Sequence, residues 1–360
     1  MIKLLVVDDS ALMRRLLAEI FSREADFEVR LARDGLEALD ALRSYAPDVI
    51  TLDVHMPQMN GLECLDRIMV ERPSPVVMVS SLTADGADAT FEALRLGAVD
   101  FIAKPDGAVS LGIHDLAPLL VEKVRAAAGA KLKSSLRLKD RVRHRIAGGA
   151  RKPRAEPSVT QPAPVIAATG DGLVLVGTST GGPPALEALL TPLPADFPWP
   201  IVVAQHMPAT FTGPLARRLD GLCALSVSEI TQPTLLKPGC AYIGKGDADV
   251  IVSRRAAGLV ALPAPALKDY PWHPSTDRLV RSAMDVVAPG QLIGVLMTGM
   301  GNDGALAMTH LHQLGGKTIA EAEETAVVWG MPGELVKAGG ADLVVPLDEI
   351  ASRLRMLVPP

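Results

Sequence analysis

A chain of 360 residues exceeds one ordinary domain and suits two, and with 48% hydrophobic residues each domain can bury a core. Aromatics are only 3%, so those cores must be aliphatic. A formal net charge of −5 argues against general nucleic-acid binding, and no apolar run approaches the ~20 residues of a membrane span.

The first predicted strand, Ile2-Lys3-Leu4-Leu5-Val6-Val7, is too short for a signal peptide and runs into two aspartates. A cytoplasmic protein is expected, with no insertion into a membrane. Cys64, Cys223 and Cys240 show no metal-like spacing and read as buried, reduced thiols. Over residues 1–126, short apolar runs at 2–7, 27–32, 49–53, 75–80 and 99–102 alternate with amphipathic stretches. In the first of these, Leu12, Met13, Leu16, Leu17, Ile20 and Phe21 share a helical face, and Ser10 is placed to cap it. Five such repeats predict an α/β domain: a doubly wound, five-stranded parallel sheet with helices on both faces. Residues 127–170 read as a linker. Its segment Lys131–Glu156 has ten Lys/Arg against two Asp/Glu, leaving the rest of the chain at −13 (26 basic, 39 acidic). That run suits an acidic surface, or else it is a solvated linker extending the preceding helix. Pro, Gly, Ala and Thr dominate its end. Residues 171–358 form a second α/β unit with a doubly wound, mostly parallel sheet. Its predicted strands are Leu173–Val176, Ile201–Ala204, Ala241–Ile243, Val250–Val252, Leu292–Met297 and Leu343–Val345.

Ligands of open parallel sheets bind at the carboxyl ends of the strands. In the first domain Asp8 and Asp9 follow the first strand, Asp53 ends the third, Ser80 ends the fourth and Lys104 follows the fifth. Three carboxylates repel one another, so the site needs a cation, and oxygen-only ligands favour Mg2+. Carboxylates, Mg2+, a hydroxyl and an ammonium suit a phosphoryl group on a carboxylate. With these five positions at strand ends, residues 1–126 resemble a response-regulator receiver domain. The resemblance implies that Asp53 is the phospho-acceptor, that Asp8 and Asp9 join it in holding Mg2+, and that Ser80 and Lys104 sense the phosphoryl group. Phe101 falls at the family's aromatic switch position, and Pro57 and Gly61 match the loop after the acceptor.

In the second domain, Gly177-Thr178-Ser179-Thr180-Gly181-Gly182 joins a strand to a predicted helix. Free backbone N–H groups at such a turn can stabilise an oxyanion, and the spacing fits the G-x-S-x-G nucleophile elbow. A serine nucleophile needs a base, and the base needs an orienting acid. His206 ends the next strand in Gln205-His206-Met207-Pro208, and Asp303 lies in Thr298-Gly299-Met300-Gly301-Asn302-Asp303-Gly304 after another. Each has a plainer alternative: a hydrogen-bonded structural histidine, and a cap for the helix starting near Gly304. The order Ser, His, Asp is not that of α/β-hydrolases, in which a later histidine such as His273 or His310 would be the base.

Gly177–Pro183, Gln205–Pro208, His273-Pro274-Ser275, Thr298–Gly304 and Gly330-Met331-Pro332 together make the second domain resemble the catalytic domain of bacterial chemotaxis protein-glutamate methylesterases. The resemblance implies Ser179, His206 and Asp303 as nucleophile, base and orienting acid. Backbone N–H groups near Thr180 and Met300 are the oxyanion candidates, and no cofactor is implied for this site. It further implies hydrolysis of glutamate γ-methyl esters on methyl-accepting chemoreceptors, deamidation of receptor glutamines, and a chemotaxis-type histidine kinase as phosphoryl donor. The stretches Thr231–Thr234 and Gly244–Asp249 depart from the family pattern. A monomer is expected, in which the unphosphorylated receiver packs over the Ser179 edge. Alternatives are the same chemistry in a receptor system unrelated to motility, and a non-catalytic output domain that binds protein.

Overall fold

The computed structural model describes residues 1–80, 83–104, 109–130 and 172–359, with backbone alone at 84–85 and 109–115. The basic run and most of the linker lie outside the described residues, as does Pro360. The first domain alternates β1 (Ile2–Val7), α1 (Ala11–Ser22), β2 (Phe27–Ala32), α2 (Gly35–Ser44), β3 (Val49–Asp53), α3 (Gly61–Glu71), β4 (Val76–Ser80), α4 (Ala84–Leu96), β5 (Asp100–Ala103) and α5 (Val109–Ala128). The strands form one parallel sheet in the order β2-β1-β3-β4-β5. Successive side chains of a strand point to opposite faces. Leu4 and Val6 accordingly pack with α1 and α5, while Leu5 and Val7 pack with α2 and α3. Ser10 caps α1 by accepting the Met13 N–H, and Asn60 and Glu63 close a capping box on α3.

The second domain contains β6 (Leu173–Thr178), α6 (Gly182–Leu190), β7 (Ile201–Gln205), α7 (Ala209–Asp220), β8 (Ser226–Ile230), β9 (Thr234–Leu235), β10 (Cys240–Gly244), β11 (Asp249–Arg255), β12 (Gly258–Ala264), α8 (Thr276–Met284), β13 (Leu292–Leu296), α9 (Ala305–Gln313), β14 (Lys317–Glu321), α10 (Met331–Lys337), β15 (Leu343–Val345) and α11 (Leu347–Leu357). Seven strands form a parallel sheet in the order β15-β14-β13-β6-β7-β10-β8. The hairpin β11–β12, with β9 on its edge, makes a small antiparallel sheet. Central β6 lies between β7 and β13, so the turns that follow these three strands meet at one sheet edge.

The two domains share one apolar cluster. Helix α4 packs on α7, and Phe211 of α7 meets both Phe91 and Phe101 of the first domain, at ring-centroid distances of 6.4 and 4.4 Å. The cysteines are free, but only Cys64 is buried; Cys223 and Cys240 are half-buried, which corrects the expectation of three buried thiols. Both half-buried positions lie near the ends of elements, where packing is open on one side. Among the described residues no helix is long and apolar enough to cross a membrane.

Candidate active site

Ser179 sits in the turn between β6 and α6, two residues before the left-handed Gly181. That turn is fixed by hydrogen bonds to the loop after β13. Ser179 N–H and the Thr178 hydroxyl both donate to the Thr298 carbonyl at 3.0 Å, and the Thr298 hydroxyl donates to the Thr180 carbonyl at 2.8 Å. On the other side, the Gln205 amide donates to the carbonyls of Ser179 and His206 at 3.0 and 3.1 Å. The Ser179 turn is thus held by the ends of both neighbouring strands. Thr180 and Met300 are buried, and no acceptor among the described residues takes the N–H of either.

His206 Nε2 and Asp303 Oδ2 lie 2.8 Å apart. Burial alone would raise the Asp303 carboxyl, but the hydrogen bond and charge of His206 and the Asp277 and Thr276 N–H groups hold it below the ordinary carboxylate range. An ionised carboxylate only accepts, so Nε2 carries the proton that faces Asp303, and in the neutral ring the lone pair is then on Nδ1. Nδ1 is buried and has no hydrogen-bond partner among the described residues. The Trp272 ring lies parallel to the imidazole, 6.0 Å away between centroids. Ser179, His206 and Met300 line one cavity of about 390 Å³. The structure therefore brings hydroxyl, imidazole and carboxylate to one edge.

Asp303 does not cap the helix that follows it: Gly304 holds that position. His273 pairs with a different acid, its Nδ1 lying 2.9 Å from buried Asp249, and His310 is exposed on α9. The departing stretch 244–249 underlies the histidine loop. A Cβ on Gly246 would come within 2.1 Å of the Met207 carbonyl, so only glycine allows that approach. Stretch 231–234 leads into β9, on the edge of the small antiparallel sheet.

At the other sheet, Lys104 Nζ bridges Asp8 Oδ2 and Asp53 Oδ2 at 3.0 and 2.8 Å. Carboxylate oxygens of Asp8, Asp9 and Asp53 all lie within 4.8 Å of one another. Burial and the Asp8 charge push the Asp53 carboxyl up, against the pull of Lys104. One ammonium does not balance three acids, and a hard divalent cation such as Mg2+ fits this oxygen-only set. The Ser80 hydroxyl, wholly buried, donates to the Gly86 carbonyl at the start of α4. A Cβ on Gly61 would lie 2.2 Å from the Asp53 carbonyl, which explains a glycine at the start of α3. Phe101 is buried in the domain interface against Phe211.

The two sites are joined through β5. Asp100 is buried, and its Oδ2 accepts the Thr180 hydroxyl at 2.6 Å. Lys123 of α5 pairs with the same carboxylate at 2.9 and 3.0 Å. The Ser179 cavity is walled on its first-domain side by Phe101–Lys104, Leu116, Leu119 and Lys123. Sequence reading missed Asp100, Phe211, Trp272 and Asp249, whose partners are distant in the chain. The one available signal was that Asp100 and Phe101 adjoin the loop bearing Lys104.

Residues 174–354 match the family model of the CheB methylesterase, and residues 4–111 that of the response regulator receiver domain. A protein-glutamate methylesterase/protein-glutamine glutaminase 2 of Rhodopseudomonas palustris (strain BisB18) is 59% identical over 98% of this chain and 97% of its own. A similarly named protein of Rhodospirillum rubrum is 54% identical over 98% and 95%. The solved CheB methylesterase catalytic domain of Thermotoga maritima is 37% identical, with a TM-score of 0.51, covering 53% of this chain and all of that one. Fold and comparisons define a class: a response regulator whose output domain is a carboxylic ester hydrolase. Within it, the chain belongs to the CheB methylesterase family.

Proposed function

We propose that the chain hydrolyses glutamate γ-methyl esters on the cytoplasmic helices of chemoreceptors, deamidates receptor glutamines, and is switched on by phosphorylation of Asp53. The observation that carries the catalytic part is the buried Nδ1 of His206, without a hydrogen-bond partner among the described residues, on a ring that lines one cavity with Ser179. In this reading Ser179 Oγ attacks the ester carbonyl while Nδ1 takes its proton. The N–H groups of Thr180 and Met300 receive the developing oxyanion. Collapse expels methanol, which takes the proton from His206 and leaves a glutamyl-enzyme. Water, deprotonated by His206, then releases glutamate and restores Ser179. With glutamine, ammonia leaves instead, so one site serves both reactions. Asp303 holds the ring and stabilises its charged form.

Asp53 accepts the phosphoryl group from a histidine kinase, with Lys104 and Ser80 as its sensors and Asp8, Asp9 and Asp53 holding Mg2+. When bound, Mg2+ offsets the negative charge gathered there. Gating rests on size. A cavity of about 390 Å³ admits a glutamyl side chain, whereas a receptor helix is ~10–12 Å across. The first domain must swing aside before a receptor can enter. The enzymatic reading is tested by Ser179→Ala, which should abolish methanol release from methylated receptors while Asp53 still takes up phosphate. Retained esterase activity in this variant would overturn it.

A further inference from the structure

Three successive residues converge on the Asp303 carboxylate. The Ser275 hydroxyl donates to Oδ1 at 2.9 Å, the Asp277 N–H donates to the same oxygen at 3.1 Å, and the Thr276 N–H donates to Oδ2 at 2.6 Å. Oδ2 is also the partner of His206 Nε2. Asp303 is therefore the anion held by the N-terminal turn of α8, a helix other than the one it precedes. Ser275 and Thr276 are both fully buried. A second buried acid anchors this grip from below. Asp249 accepts the Ser275 N–H at 2.7 Å, while His273 Nδ1 and Arg278 Nη1 lie 2.9 and 2.6 Å from its two oxygens.

The Asp303 carboxylate turns about a soft terminal torsion, so donors on both oxygens are needed to fix its plane. Oδ2 is held by a backbone N–H and by the histidine. Oδ1 depends on Ser275 and on the longer bond from Asp277. We propose that Ser275 is a positioning residue of the hydrolase site. Its hydroxyl fixes the plane of Asp303, Asp303 fixes the Nε2–H tautomer of His206, and Nδ1 is thereby aimed at Ser179. This rests on the reading of Ser179, His206 and Asp303 as nucleophile, base and acid.

Ser275 also caps α8 by accepting the Arg278 N–H at 3.3 Å, so a merely structural role must be told apart from positioning. The test uses full-length phosphorylated protein, methylated receptor as substrate, and 15N spectra of the imidazole of His206. Ser275→Ala should lower kcat by roughly 10- to 100-fold with KM within about twofold, and the spectrum should lose its fixed Nε2–H signature. Ser275→Thr, which keeps the hydroxyl, should restore both. Ser275→Cys, similar in shape but a weak donor, should fall between and covers the case in which the alanine variant does not fold. Wild-type kcat in the alanine variant, or a loss of kcat with the His206 signature unchanged, would overturn the proposal. Activity remaining in Ser179→Ala would instead overturn the underlying reading.

Discussion

Asp303 carries its charge in a place where burial alone opposes it. Four donors outweigh that cost: Nε2–H of His206, the Ser275 hydroxyl and two backbone N–H groups. A carboxyl lowered on folding adds stability that is complete above its unfolded pKa of about 3.9 and is lost as pH falls through the lower folded value. Asp303→Asn should therefore melt well below the native protein at pH 7, and the gap should narrow as the pH drops below about 4. A gap constant from neutral to acid pH would contradict that origin. At this scale the candidate nucleophile, base and acid were legible because each lies in a Gly-rich or Pro-bounded loop that follows an apolar strand. Ser275 and Asp249 were not, since their contacts with residue 303 and with residues 273–278 cross 24 to 29 positions. Linear spacing carries no trace of such pairs.

Strand β5 and the loop after it are the element that links the two sites. Asp100 bonds to Thr180 beside Ser179, Phe101 packs on Phe211, and Lys104 reaches Asp53. A change at Lys104 is thus four residues from the Thr180 contact. An aromatic pair such as Phe101–Phe211 adds about 0.5–1.5 kcal/mol beyond its buried area. A charge-assisted hydrogen bond adds about 1.5–3 kcal/mol. Weakening this closure by ~1.4 kcal/mol is enough for a tenfold change in the open population. Asp100→Ala and Phe211→Ala should each raise receptor demethylation by unphosphorylated protein roughly three- to tenfold. Unchanged or lower basal rates in both would show that these contacts do not hold the domains closed.

The elements themselves were read unevenly. Receiver strands β3 and β4 and the central strands β6, β7 and β13 are buried along their length and largely aliphatic, as parallel strands covered on both faces are, whereas edge strand β2 is partly exposed. Strands β8, β9, β12 and β14 escaped notice. Ser226–Ile230 and Lys317–Glu321 mix polar with apolar residues, and Gly258–Ala264 is a hairpin return with a proline near its end. Their pairing partners, not their composition, make them strands.

At the scale of the whole molecule, two parallel sheets face each other through α4, β5 and α5 of one domain and α7 and the Ser179 edge of the other. Composition and strand order announced both sheets. A first domain over the Ser179 edge was expected, but the contacts that dock it could not be read, because they join Asp100, Phe91 and Phe211 to partners more than 70 residues away in the chain. First-domain residues wall the cavity of about 390 Å³ that Ser179 lines, and the proposed gating rests on their excluding a receptor helix. Its most direct measurement is methanol release from methylated receptors by the full-length protein, before and after phosphorylation of Asp53, with Asp53→Asn alongside. Exclusion by the first domain should give a low rate that phosphorylation raises at least tenfold, and an Asp53→Asn protein fixed at the low rate. Equal rates with and without phosphate would contradict it.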